Sequence, residues 1–268
     1  MAEFDNVMAV FKLLPKTNCR KCNEATCLAF AAGVFQGKRP LSDCPFVSPE
    51  DLESFGDQAP GRKDPREELA KTLAGLKQRL AGVDLAETAK KIGADFSNGR
   101  LTLRTLGKNF SVDARGNFYG EIHIHHWIAV PVLNYIIQAG GVTPSGNWVP
   151  MRELPKGKDY YRLFGQRCEK PLKRLADTYT DLFEDLVQLF NGRRVENHYE
   201  SDISLVLDPL PLLPVLICYW KPEEGISSTL NIFFDDTAEQ NLSIGSIYTL
   251  TAGLVVMFEK IALRHGVN

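Results

Sequence analysis

Four of the six cysteines in this chain fall within 26 positions, at Cys19, Cys22, Cys27 and Cys44, while Cys168 and Cys218 stand alone. A secreted disulfide scaffold spreads its cysteines through the chain. Clustering in a chain whose start, Met-Ala-Glu-Phe-Asp, lacks the basic and apolar runs of a signal peptide points instead to a metal site in a cytoplasmic protein. The spacing is Cys19-x2-Cys22-x4-Cys27-x16-Cys44, with Pro45 directly after the last cysteine. Two cysteines three apart wrap one corner of a bound body. The third opens a helix, and the fourth returns after that helix has come back. The proline fixes the chain's exit and removes a backbone donor. Four thiolates converging from several directions suit a 4Fe–4S cluster held by Cys19, Cys22, Cys27 and Cys44. They also satisfy tetrahedral zinc, but zinc ribbons pair two short knuckles, and here the second pair is split by sixteen helical-looking residues.

The surrounding pattern divides the chain. Phe4, Val7, Met8, Phe11 and Leu14 repeat at helical spacing over Glu3–Leu14 and stop at Pro15, and Ala25–Phe35 reads as a second helix. Pro45, Pro49, Pro60 and Pro65 then punctuate a polar stretch, which places a domain boundary near residues 57–65. The expected organisation is a cluster domain over residues 1–60 and a larger domain over 66–268. In the latter, Glu67–Leu80 and Leu85–Ile92 read as helices, and Arg100–Leu106, Asn109–Asp113 and Asn117–His125 as a three-stranded meander. Trp127–Gln138 reads as a buried helix with Pro131 near its first turn, and Glu169–Phe190 as one long amphipathic helix. Ile203–Leu207 and Val215–Trp220 are strong strands joined by the proline-rich Asp208–Pro214, followed by a strand at Thr229–Phe234 and a terminal helix at Ser246–Arg264. This order predicts an α+β fold, a small helical domain followed by a mixed one with mostly antiparallel strands and long helices.

The run from Leu13 to Ala31, Leu-Leu-Pro-Lys-Thr-Asn-Cys-Arg-Lys-Cys-Asn-Glu-Ala-Thr-Cys-Leu-Ala-Phe-Ala, resembles the iron–sulfur domain of the corrinoid iron–sulfur protein large subunit. That domain is itself similar to segments of electron-transport complex subunits and of activators of corrinoid enzymes. The likeness covers about residues 8–47 and includes all four cysteines, Pro15, Thr17, Asn18, the Thr26-Cys27 pair and Cys44-Pro45. It departs after the first two cysteines, where the family usually has glycine and this chain has Arg20 and Asn23. A cation at Arg20 or Lys21 beside a negative cluster stabilises the reduced state and raises its potential.

From about residue 80 the chain resembles a domain-of-unknown-function family often found behind such a segment in anaerobes. The likeness rests on Gly146-x-Trp148-Val149-Pro150, Pro209-Leu210-Pro211-x-x-Pro214-Val215 and Asn231-Ile232-Phe233-Phe234-Asp235-Asp236. It implies a fold family and no activity.

Three histidines, His123, His125 and His126, form a candidate site for a second metal or a tetrapyrrole, since His123 and His125 share a face if they lie on a strand. The alternative is an ordinary polar strand face with Ile122 and Ile124 turned inward. Asp235-Asp236 at a strand end offers carboxylates to a cation or starts a turn. Lys156, Lys158, Arg162, Arg167, Lys170, Lys173 and Arg174 form a basic stretch that would dock an acidic redox partner or serve as a solvated helix face. Cys168 and Cys218 read as structural.

The net charge of −2 argues against a general nucleic-acid binder, and no run of some eighteen uninterrupted apolar residues suggests a membrane span. No glycine-rich phosphate loop and no G-x-G-x-x-G is present. The D-x-H-x-x-G motif of corrinoid-binding domains is also missing, so a corrinoid would sit on a partner protein or be bound in a different mode. The sequence therefore predicts a low-potential one-electron carrier that serves a redox partner, and the resemblance implies a corrinoid protein of one-carbon metabolism as that partner. A redox enzyme with a second centre in the C-terminal domain, and a sensing or scaffold protein, stay open as alternatives.

Overall fold

The computed structural model describes residues 4, 6–55, 65–121, 124–196 and 198–265. Its contacts divide the chain into two compact units, Met1–Lys71 and Thr72–Asn268. The boundary expected at residues 57–65 lies, Pro65 apart, outside the described residues.

In the first unit, α1 (Val7–Lys12) begins at Asn6, whose side chain accepts from the Ala9 N–H at 3.0 Å. The second helix, α2 (Cys27–Phe35), begins at Thr26, whose hydroxyl accepts from Ala29 N–H at 3.0 Å. Such caps satisfy donors that the first turn leaves orphaned. A single 3₁₀ turn at Leu41–Asp43 leads to Cys44. The next helix, α3 (Pro49–Phe55), lies where the sequence suggested only punctuated polar chain. Its start signals are Pro49 at the first helical position and Ser48, whose hydroxyl accepts from Asp51 N–H. Val10, Leu14, Phe30, Ala31, Val34, Leu41 and Val47 close a small core around Cys22, Cys27 and Cys44.

Helix α4 (Pro65–Leu80) ends in the second unit, followed by α5 (Leu85–Ile92), which Asp84 caps and Gly93 stops in the left-handed conformation. A four-stranded antiparallel sheet comes next: β1 (Asp95–Ser97), β2 (Arg100–Thr105), β3 (Lys108–Asp113) and β4 (Phe118–Gly120). The β2–β3 turn is Leu106-Gly107, with φ of 51° and 74°, the pair of positive values that a tight two-residue hairpin turn requires. Leu106 tolerates this because its side chain is buried and its N–H donates to the Asp208 carbonyl.

The strand expected over Asn117–His125 is shorter, ending at Gly120. The His125 carbonyl instead accepts from the Ile128 and Ala129 N–H groups and opens α6 (His126–Gln138). Pro131 therefore sits inside this helix rather than near its first turn. Gly253 gives the Trp127 ring its place, since a Cβ there would clash with the ring.

The second sheet runs in the order β5-β9-β8-β7-β6, all antiparallel, from β5 (Trp148–Pro150), β6 (Arg193–Arg194), β7 (Ile203–Leu210), β8 (Leu213–Trp220) and β9 (Thr229–Asp235). The proline-rich segment does not end β7. The register slips between Leu207 and Leu210, so Pro209, with no N–H for the ladder, is absorbed at the irregularity and Leu210 pairs again with Leu213.

The long helix expected at Glu169–Phe190 is broken. After α7 (Tyr161–Phe164), a π-turn spans Gly165–Glu169, and α8 (Lys170–Thr178) stops at Tyr179 before α9 (Thr180–Leu189). The last helices are α10 (Ala238–Asn241) and α11 (Ile244–His265). By length and composition Ile244–Leu263 would cross a membrane, but Ile247, Leu250, Leu254, Val255, Phe258 and Ala262 are buried in this unit, as in a core helix. Period-two alternation turns Leu205, Leu207, Val215, Ile217, Ile232 and Phe234 to the main core, and Val206, Leu216, Cys218 and Phe233 to the opposite sheet face. The fold class is α+β.

Candidate metal centre

The loop between α1 and α2 is built to turn repeatedly in few residues. Lys16, Asn18, Arg20 and Asn23 have φ of 59°, 51°, 61° and 59°. Left-handed backbone is where glycine is favoured and a side chain costs energy. That accounts for glycine being usual after the first two cysteines, at the positions of Arg20 and Asn23. A turn closes over Cys22 through Asn23 N–H to the Arg20 carbonyl at 3.0 Å. The Asn18 side chain then accepts from Cys27 N–H at 2.8 Å, tying the loop to the start of α2.

Cys27 is the first residue of α2, so the helix start fixes where its side chain leaves the backbone. Cys44 follows the 3₁₀ turn, its N–H donating to the Leu41 carbonyl at 3.2 Å. Cys22, Cys27 and Cys44 are buried and Cys19 is exposed. The Cys44 thiol is pushed up by burial, opposed by the Phe46 N–H and reinforced by Cys22, Cys27 and Cys19, each of which lies within electrostatic reach of Cys44. The Cys19 thiol is held below its ordinary value, chiefly by the Lys21 N–H, with Thr17 adding a second donor. No three His, Cys, Asp or Glu side chains among the described residues converge tightly enough for a single metal ion. Four thiols in one loop system, three buried and two receiving backbone N–H groups, are a donor set that fits an iron–sulfur cluster.

Arg39 braces this arrangement. Its guanidinium donates to Glu24 at 3.2 Å, between Cys22 and Cys27, and to Asp43 at 3.0 Å, directly before Cys44. It also lies over the Phe30 ring at 5.5 Å. Nothing in the sequence pattern marked this residue, because its partners are fifteen and four positions away on different segments.

The other sequence candidates are more dispersed. His123 lies outside the described residues. His125 and His126 sit at the cap and first residue of α6, with ring centroids 4.2 Å apart. The Lys156–Arg174 cations run over a 3₁₀ turn, α7, the π-turn and α8 rather than one helix face. Lys173 pairs with Asp177 at 2.7 Å and Arg174 with Glu259 at 4.0 Å, while Lys158, Arg167 and Lys170 are exposed. Lys156 is exposed, with its N–H on Glu239, and Arg162 packs on Tyr161. Asp235 accepts from the N–H groups of Ser145, Gly146 and Thr237 and from the Thr237 hydroxyl, so it serves as a turn anchor. Cys168 and Cys218 are both buried.

A feature the sequence did not signal is the cleft of about 190 Å³ beside the π-turn, lined by Arg152, Tyr161, Glu169 and Asn231 among apolar side chains. Burial pushes the Glu169 carboxyl up, against an N–H from Ile232. A glutamate in a helical run carries no mark of such a place.

Two family models match the chain: one for an Fe–S cluster over residues 14–46 and one described as a domain of unknown function, DUF3786, over residues 84–257. The acetyl-CoA decarbonylase/synthase complex subunit gamma of Methanothermobacter thermautotrophicus is 52% identical over 48 residues, 18% of this chain and 10% of that protein. The corrinoid/iron-sulfur protein large subunit of Moorella thermoacetica is 49% identical over 41 residues, 15% of this chain and 9% of that protein. The subunit gamma of Methanosarcina acetivorans is 31% identical over 99 residues, 35% of this chain and 18% of that protein. The chain thus spans between 9% and 18% of the length of these curated relatives. No solved structure matches it. The N-terminal unit is an iron–sulfur segment, and by the longer match the chain belongs to the DUF3786 family.

Proposed function

We propose that Cys19, Cys22, Cys27 and Cys44 hold one 4Fe–4S cluster and that the protein is a one-electron carrier for a partner in corrinoid-dependent one-carbon chemistry. The observation that carries this reading is the set of four thiols around one loop and one helix start, three buried and one open to solvent. A 4Fe–4S cluster takes four thiolates, one at each iron, which is the number this loop system supplies. When bound, the cluster supplies reversible one-electron transfer.

The chain's own residues set the conditions. The Lys21 and Phe46 N–H groups donate to Cys19 and Cys44, which stabilises sulfur carrying extra negative charge. Phe30, Val34 and Leu41 exclude water from the buried side, and Arg39 holds the Glu24 and Asp43 segments together. The one-carbon assignment is supported by the relatives, whose matching part is this segment. They name a complex and a corrinoid protein, and the matched segments are too short to bring an enzymatic activity with them.

Iron, sulfide and zinc analysis of anaerobically purified full-length protein tests the reading. About four iron and four sulfide per chain are expected, with absorbance that bleaches and returns on one-electron cycling. One zinc and no sulfide, or a cluster that cannot be reduced, overturns it.

A further inference from the structure

The cysteine segment carries a charge unlike that of the whole. Residues 14–46 hold five cations, Lys16, Arg20, Lys21, Lys38 and Arg39, against two carboxylates, Glu24 and Asp43, in a chain whose net charge is −2. Both carboxylates are paired with the single guanidinium of Arg39. Lys16, Arg20 and Lys21 are left exposed without an ion pair among the described residues, Arg20 and Lys21 within two positions and Lys16 three positions from Cys19, the one exposed thiol of the four. Two apolar side chains are exposed in the same segment: Phe46, next but one to Cys44, is 48% exposed with the Lys21 ammonium 4.9 Å from its ring centroid, and Leu28, next to Cys27, is 48% exposed. Apolar contacts within a ring of one charge sign are what a transient electron-transfer interface needs: charge steers the encounter and a small apolar patch seats it.

We propose that this face, with Lys16, Arg20 and Lys21 around Cys19 and with Phe46 and Leu28 as apolar seats, is the docking surface for an acidic one-electron carrier protein. It rests on the cluster reading above and adds where the electron crosses and to what kind of partner. The step is simple in balance. The reduced acidic carrier loses one electron, the oxidised cluster gains it, and no bond or proton moves. The basic stretch Lys156–Arg174 is the less suitable dock, because Lys173 and Arg174 already face Asp177 and Glu259.

Stopped-flow mixing of the anaerobic full-length protein with a reduced acidic ferredoxin tests this, with an oxidised basic c-type cytochrome, taking the electron from the pre-reduced protein, as the opposite-charge probe and a neutral photoreductant as the charge-blind control. Steering by opposite charge changes association rates by about 10-fold to 10³-fold and is screened by salt. The second-order rate with ferredoxin should therefore fall by about tenfold or more between low and high salt. The basic cytochrome should show the reverse trend. Lys16→Glu with Lys21→Glu should slow ferredoxin by a similar factor, well beyond the smaller change in photoreductant rate that a charge reversal beside the cluster brings through its potential. Lys16→Gln, remote from a ligand, should give a smaller loss in the same direction if the double variant fails to hold a cluster.

A ferredoxin rate indifferent to salt in the unaltered protein overturns the docking proposal. So does slowing by Lys156→Glu with Lys170→Glu and not by the Lys16 changes. Absence of a cluster, or failure of the photoreductant to cycle it, overturns the underlying reading and the docking proposal with it.

Discussion

The N-terminal unit closes its core with ten buried side chains among the described residues, three of them cysteines, whereas the C-terminal unit buries Leu, Ile, Val and Phe from two sheets and several helices. In the larger unit the alternation of β7, β8 and β9 and the stripe of α11 bring apolar surface together without help. In the smaller one, the cysteine loop takes left-handed backbone at four non-glycine positions. Domains this small are generally short of apolar burial and depend on a staple. The C-terminal unit has a large hydrophobic core of its own, and from this contrast we propose that the N-terminal unit needs the cluster proposed above to fold.

Removing the metal gives the largest expected difference between the two. Iron chelation, or Cys27→Ser with Cys44→Ser, should abolish the slow hydrogen exchange of α1 and α2, the whole of a small domain's stability of about 5 kcal/mol. Helices α6 and α11 and strands β7 to β9 should keep their protection. Persistent protection of α2 after full loss of iron would erase the contrast.

The second test runs the other way. Asp235 is 1% exposed and anchors the Ser145–Asn147 turn to the end of β9. Asp235→Ala leaves the Ser145, Gly146 and Thr237 N–H groups unpaired, at about 1–3 kcal/mol each, so the C-terminal unit should lose about 3 kcal/mol or more with no change in cluster absorbance. Burial disfavours the charged form, but the Thr237 hydroxyl and these N–H groups outweigh it and hold the carboxyl below its ordinary value. A depressed value stabilises the fold above the unfolded pKa of about 3.9, and that stability is lost as pH falls through the folded value. Acid unfolding of the C-terminal unit should therefore flatten in Asp235→Asn, and equal pH profiles for both proteins would count against the anchor.

The sequence made the two units unequally legible. The ligand spacing, the helices after Thr26 and Asp84, and the strands near Arg100, Ile203 and Thr229 could be read locally, because caps and periodicity are local signals. Three features could not. Tyr179 breaks an amphipathic run that looks continuous, Pro209 lies inside a strand because the register slips there, and Arg39 finds its partners across a loop. Each depends on contacts made by residues distant in sequence. The histidine reading depended on a strand, and the chain ends that strand at Gly120 and makes His125 a helix start instead.

The smallest expected effect concerns why Arg20 stands where glycine would be easier. Its φ of 61° costs about 1–2 kcal/mol for a side chain, and glycine returns about 0.4–1 kcal/mol of that through the entropy of the unfolded chain. Arg20→Gly should therefore stabilise the cluster-loaded N-terminal unit by no more than about 1 kcal/mol, read as a rise in its unfolding midpoint. Asn23 has a φ of 59°, and asparagine tolerates that region better, so Asn23→Gly should do less. The two variants differ in charge as well. Loss of the Arg20 cation should lower the cluster's reduction potential, since a nearby positive charge favours the added electron. Asn23→Gly should leave the potential alone, and Arg20→Lys should keep both the strain and the potential. If Arg20→Gly gains stability and loses potential together, the chain carries backbone strain in exchange for a charge at the exposed ligand. If it gains stability with the potential unmoved, the cation near Cys19 has no part in setting it. A loss of stability would show that the left-handed turn is not strained by arginine at all.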